Sequence, residues 1–262
     1  IFIHNETERS TDNQHMRNII IVMPGDSLTI VETGNNMSVN NTVTEIYLHK
    51  SAELNYINLT GLNNKTPKIN HKFCETLDDA KFNHFSMNLN PKSARSEIEV
   101  HMNGRRGSTS IANICFISEN NLINDENVLI NHNSPDCISR QVFKSVLSSD
   151  STSIVRGKIF VDPNAQKTDG FQSSRSLLLN NKAKFHCKPE LEIYADDVAC
   201  SHGSTSGSLD KDSLFYLLSR GISLPEAEKI LVMAFISEAF DEITDTKIRE
   251  DISNWLANWI TN

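Results

Sequence analysis

The 262-residue sequence is 38% hydrophobic and 22% charged, the balance of a folded globular chain rather than a disordered one. No apolar run approaches the roughly 18 residues that a membrane helix needs. A formal net charge of −8 excludes the overall basic field by which proteins gather on nucleic acid.

The opening IFIHNETERSTDNQ has no basic stretch followed by an apolar core, so it does not read as a secretion signal; without an initiating methionine, the chain is expected to begin inside a longer protein. From Arg17 to about Thr205, short apolar or alternating runs are separated by Asn, Asp, Gly, Ser and Lys. NIIIVMPGDSLTIVE, TEIYLHKSAELNYINL, SEIEVHMNG, TSIANICFI, NVLINH and GKIFVDPNA are examples. They are rich in residues that fit a pleated surface, and each is too short for an independent helix, so they are predicted strands. In Ser96 to Met102, Ile98, Val100 and Met102 share one face and Glu97, Glu99 and His101 the other, as a half-buried strand requires. Strands at intervals of about ten residues, with no long helical stretch between them, exclude a doubly wound α/β fold and leave a sandwich, a barrel or a β-solenoid. No repeat of fixed period selects among the three.

After Gly207 the pattern becomes helical. Leu214, Phe215, Tyr216, Leu217 and Leu218 suit a buried helix that Gly221 terminates. Ser223, Pro225 and Glu226 form a capping-box signature. Behind it Ala227, Ile230, Leu231, Ala234 and Phe235 recur at helical spacing, predicting a helix to about Ile243. Ile248, Ile252, Trp255 and Trp259 then step along one stripe of a last helix, more often core than partner surface. The predicted organisation is a β body over residues 1–205 and a helical region over 206–262.

Five cysteines, Cys74, Cys115, Cys137, Cys187 and Cys200, are widely spaced and form no CxxC pair. That pattern disfavours a disulfide framework and a zinc ribbon and fits a reducing compartment, for which the bacterial cytosol is the simplest choice and a plastid stroma the alternative. The densest group of metal-binding residue types is Glu192 to Gly203. If that segment is extended, Cys200 and His202 point to the same side, a thiolate and an imidazole suited to iron or zinc. Against this, single cysteines are commonly buried for packing alone, and two ligands do not make a site. Adjacent Asp196 and Asp197 suit a turn or cap better than an acid–base pair, and Lys167, beside Asp169-Gly170, suits a solvated turn. There is no GxxxxGK[ST] loop and no GxSxG elbow, so ATP hydrolysis by this chain is not expected.

The ordered series NHNSPDCISRQ from Asn131, FKSVL, GKIFVDPNAQKTDGFQ, LLLN, KPELEIYADDVACSHG and LFYLLSRGI spans roughly residues 131 to 240. It closely resembles the core shared by the B and D subunits of the Suf iron–sulfur cluster assembly system; HMRNIIIV and SARSEIEV fit it more loosely. The CSHG at residues 200 to 203, in its ADDV context, resembles the D type. The resemblance implies a non-catalytic scaffold: a right-handed parallel β-helix followed by a C-terminal helical region. It implies pairing with a B-type subunit and docking of a C-type ATPase through Leu214, Phe215, Tyr216, Arg220 and Gly221. It also implies a transient iron–sulfur cluster at the subunit interface, with His202 and Cys200 as the residues concerned, a structural role being the alternative for Cys200. Ser204 stands where the family usually has alanine and Val155 where it usually has an aromatic. The family's N-terminal helical region has no counterpart here, which implies a truncated or short form.

Two rival readings accompany this one. A polysaccharide-active β-solenoid enzyme would need converging acids and bases on an exposed groove, and usually a secretion signal. A structural homodimer without cluster chemistry would need neither His202 nor an ATPase.

Overall fold

A computed structural model of the chain describes residues 1–5, 13–34, 39–60 and 67–260. Residues 6–12 of the opening segment, on which the reading of a missing signal partly rests, lie outside the described residues. The strands are Phe2–Asn5 (β1), Asn13–Val22 (β2), Ser27–Gly34 (β3), Val39–Leu48 (β4), Glu53–Thr60 (β5), Lys68–Thr76 (β6), Lys81–Leu89 (β7) and Ser93–Met102 (β8). They continue as Ser108–Ile117 (β9), Ile123–His132 (β10), Ile138–Leu147 (β11), Thr152–Val161 (β12), Asp169–Leu178 (β13), Lys184–Ile193 (β14) and Ala199–Gly207 (β15). Three helices complete the chain: Lys211–Ser219 (α1), Leu224–Phe240 (α2) and Thr246–Trp259 (α3).

Odd-numbered strands pair in one sheet, β1-β3-β5-β7-β9-β11-β13-β15, and even-numbered strands in the other, β14-β12-β10-β8-β6-β4-β2, all parallel. Each circuit of the chain therefore lays one strand on each sheet, and the molecule is a flattened parallel β-solenoid, as the family resemblance implied. The coil length is not constant. Paired Cα atoms are 26 residues apart at Ser27 and Glu53 but 32 apart at Thr152 and Lys184, which is why no fixed period is visible in the sequence. Strands also begin farther apart than the ten residues expected, for instance at Ser108, Ile123 and Ile138, because each is itself about ten residues long.

A structural repeat exists where sequence comparison is weakest, in the turns. Gly25, Ser51, Asp79, Arg106, Asp136 and Lys167 occupy equivalent corners with φ between 57° and 78°. Each donates its N–H to a carbonyl of the next coil, at 2.6 to 3.2 Å. The residue after each of the last five is small and buried: Ala52, Ala80, Gly107, Cys137 and Thr168. The left-handed residue turns the chain, the small residue fits beneath the corner, and the amide ties the coil to its neighbour. Lys167 thus serves as a corner residue, the turn role expected of it.

Inward side chains form columns running from coil to coil. One half of the interior is apolar, with Ile46, Leu48, Leu54, Phe82, Ile98, Val100, Met102, Val128 and Ile130 all buried, confirming the face assigned to Ile98, Val100 and Met102. The other half is polar. Tyr56 Oη donates to Glu32 at 2.7 Å and Asn58 Nδ2 at 2.6 Å, while Asn88 Nδ2 donates to Glu126 at 2.8 Å. Lys72 lies in the same interior, its Nζ 5.0 Å from the centre of the Tyr56 ring. Burial pushes the Glu126 carboxyl up to about 7 and the Lys68 ammonium down to about 8.

The helical region departs from expectation in several details. No residue of α1 is buried, whereas its apolar content reads as core; Gly221 does end it, at φ 84°. Ser223 is the N-cap of α2, but its side chain makes no capping hydrogen bond. That helix ends at Phe240, three residues early; of the predicted stripe Ala227 is buried, but Val232, Ile236, Ala239 and Phe240 take the other buried places while Leu231 and Phe235 are only half-buried and Ala234 is exposed. A helix apolar on most sides does not announce which face packs, and Ile230 remains exposed. In α3, Ile252 and Leu256 are buried and Trp259 meets Phe116 edge-on at 5.3 Å, but Trp255 faces outward.

Between pH 4.5 and about 7 the folded state keeps a proton on Glu126 that the unfolded chain has released, so stability falls as pH rises through that window. Glu126→Gln removes this contribution. Urea unfolding at pH 5 and pH 7.5 is expected to show the variant gaining, relative to wild type, on the order of 3 kcal/mol at the higher pH.

Candidate functional site

The site residues named from sequence fall on the last coil. β15 ends the eight-stranded sheet and β14 ends the seven-stranded one, so this coil has a neighbour on one side only. Gly170 pairs with Cys200 and Gln172 with His202, and Gly170 and Gln172 are both buried. Side chains of period two therefore place Cys200 and His202 on the same, inward side of β15, as an extended segment requires. Cys200 packs with Ile159, Val161, Ala165 and Ala195, whereas His202 is exposed because no further coil covers it.

Burial raises the Cys200 thiol above its ordinary range, partly offset by a hydrogen bond from the Gly170 backbone. On the outer side, Arg140 grips Asp169 with two hydrogen bonds of 2.9 and 2.8 Å, which hold the Asp169 carboxyl below its usual range. Arg140 and Asp169 line an open groove of about 410 Å³ with Phe171, Ala199, Cys200 and Ser201. Asp196 and Asp197 lie in the bend before β15, where the Asp197 carbonyl accepts from Lys167 N–H.

Sequence reasoning passed over Cys187. It pairs with the buried Val155 and so faces inward on β14, half-buried, in the same terminal coil as Cys200 and His202. The alternation in KFHCKPELEI was a signal for this, once β14 is known to close that coil. Among the described residues no three His, Cys, Asp or Glu side chains come close enough to hold a metal ion. The last coil thus carries one imidazole and two thiols, those of His202, Cys187 and Cys200, on an uncovered edge.

The other named residues, Leu214, Phe215, Tyr216, Arg220 and Gly221, gather on α1 and its C-terminal turn. Phe215 is 73% and Tyr216 62% exposed, an unusual state for two adjacent aromatics. The next two helices, by contrast, are firmly seated on the sheet. Lys144, on the outer face of β11, is buried under α2, where its Nζ reaches Glu238 at 2.5 Å and lies 4.8 Å from the centre of the Phe235 ring. Arg175 also approaches Glu238, at 3.3 Å, and Ser110 donates to Glu242. Val232, Ile236, Phe240, Ile252 and Leu256 join Phe85, Ile114 and Val146 of the sheet in one apolar cluster. No helix among the described residues is long and apolar enough to cross a membrane.

Fold and site together define a class: a parallel β-solenoid with a histidine and cysteine on its open last coil, followed by a helical appendage with exposed aromatics. The chain belongs to the SufBD core family: the family model described as SUF system FeS cluster assembly, SufBD core domain, matches residues 2–235. It is 32% identical over 202 residues to the iron–sulfur cluster assembly protein SufD of Escherichia coli, covering 77% of this chain and 48% of that protein. Similarity to a SufBD family protein of Synechocystis is 30% over 204 residues, covering 78% and 45%. To the chloroplastic protein ABCI7 of Arabidopsis thaliana it is 30% over 217 residues, covering 82% and 45%. The chain spans about half the length of each of these relatives.

Removing the Glu238 carboxylate leaves the Lys144 ammonium buried beside an aromatic ring without its close acceptor. Glu238→Ala is expected to lower stability by about 1–2 kcal/mol, since Glu238 is half-exposed and water reaches the vacated place, and to speed hydrogen exchange in α2. Lys144→Met, which removes the charge as well, is expected to cost much less in the same denaturation experiment.

Proposed function

We propose that the chain is a D-type scaffold subunit for iron–sulfur cluster assembly, working with a B-type homologue and a C-type ATPase. The observation that carries this reading is the incomplete ligand pair His202 and Cys200, held on the inward side of a strand that nothing covers. A nascent cluster is cargo for such a site. Its remaining ligands come from a second chain laid against β14 and β15, whose free edges offer unpaired backbone groups to a partner strand. In this role His202 is an interface ligand, and the half-buried Cys200 is either a second ligand or a support beneath it.

The ATPase docks, in this reading, on α1. Exposed Phe215 and Tyr216 supply the apolar anchors that protein interfaces favour, with Leu214 behind them and Arg220 and Gly221 at the helix end. Nucleotide chemistry belongs to that partner, in keeping with a sequence that carries no phosphate loop. The seating of α2 and α3 on the sheet gives a rigid connection between docking helix and solenoid. A reducing compartment suits both the cargo and the five free cysteines.

Anaerobic cluster reconstitution on the co-expressed three-subunit complex tests the site. His202→Ala is expected to lose most of the iron and of the visible cluster absorption while the complex still assembles. Full retention of both overturns the role given to His202.

Docking is tested separately by co-purification with the ATPase. Phe215→Asp is expected to weaken capture at least tenfold, without altering thermal unfolding of this chain, because the side chain it replaces lies mostly in solvent.

A further inference from the structure

Below His202 lies a column of inward side chains that runs Ile111, Gln141, Gln172, His202 from coil to coil. Gln172 is fully buried, and neither its Oε1 nor its Nε2 has a hydrogen-bond partner. Gln141 is in the same condition, so the two stacked amides do not satisfy one another. A buried amide left unpaired costs about 1–3 kcal/mol, and such groups in folded chains call for an explanation.

The opposite sheet is shaped around this amide. A Cβ on Gly157 would fall 2.3 Å from Gln172 Nε2 and 2.6 Å from Oε1, so only glycine lets the Gln172 head group lie across the interior at that level. The head group is thereby held in the coil directly beneath that of His202, with hydrogen-bonding capacity that no described residue takes up.

We propose that Gln172 is a positioning residue for His202. When one ring nitrogen of His202 holds a metal ion, the other carries a proton, and Gln172 Oε1 accepts that N–H, fixing the tautomer and the ring plane. Gly157 belongs to the same device, since it gives the amide its place. The inference rests on the reading of His202 as a ligand.

The test is titration of Zn²⁺ into the reduced, co-expressed complex of this chain with its B-type partner, with ¹⁵N-labelled histidine to report the tautomer of His202 in the loaded state. Gln172→Met, which keeps length and removes hydrogen bonding, is expected to weaken Zn²⁺ binding about tenfold and to leave a mixture of tautomers. Gln172→Glu, which restores an acceptor, is expected to recover a single tautomer. Gly157→Ala, which displaces the amide without touching either residue, is expected to behave like Gln172→Met and covers the case in which that variant folds poorly.

If His202→Ala abolishes Zn²⁺ binding while Gln172→Met and Gly157→Ala keep wild-type affinity and tautomer, the positioning role is wrong and the ligand role stands. If His202→Ala binds Zn²⁺ as tightly as wild type, both fall together.

Discussion

Everything in this molecule depends on parallel strand pairing held in register between successive coils. Each inward side chain stacks on its counterpart one coil below, so a slip of one residue would exchange the interior with the surface along a whole strand. The left-handed corner residues from Gly25 to Lys167 protect that register, because each amide is committed to a carbonyl of the neighbouring coil. Columns arise automatically from this pairing. Ile111, Gln141, Gln172 and His202 form one of them, and the last member alone has no coil above it among the described residues.

In the proposed function, that difference turns a structural position into a site. Within the solenoid a polar inward residue must find a partner or remain unsatisfied, as Glu32 finds Tyr56 and Asn58. On the final coil the same orientation leaves His202 open while Cys200, two residues earlier, is still half-buried against Ile159. The uncovered edge that gives the site its access also leaves its ligand set incomplete, so in the proposed function access and dependence on a partner have one cause.

The helical region answers a different need. The outer face of the odd-numbered sheet carries Phe85, Ile114 and Val146, which α2 and α3 cover. The buried Lys144 meets Glu238 there and gives the otherwise greasy contact a directional lock. Only α1 stays clear of this packing, and it keeps its aromatic residues in solvent.

The sequence by itself determined the strands, their alternation and the helical end, because pleat and helix periods are local properties of side-chain order. Ile98, Val100 and Met102 were legible in this way, and so were Cys200 and His202 as a same-side pair. The family was legible in an ordered series of motifs. The tertiary structure alone decided what lay beyond a strand's own length. Coil lengths vary from 26 to 32 residues, so the repeat was hidden until pairing displayed it. Cys187 joined the last coil, Gln172 came to lie beneath His202, and Lys144 found Glu238 94 residues away. Trp255 turned outward and Leu256 inward, since the sheet beneath α3 selects the buried stripe and periodicity only proposes candidates for it.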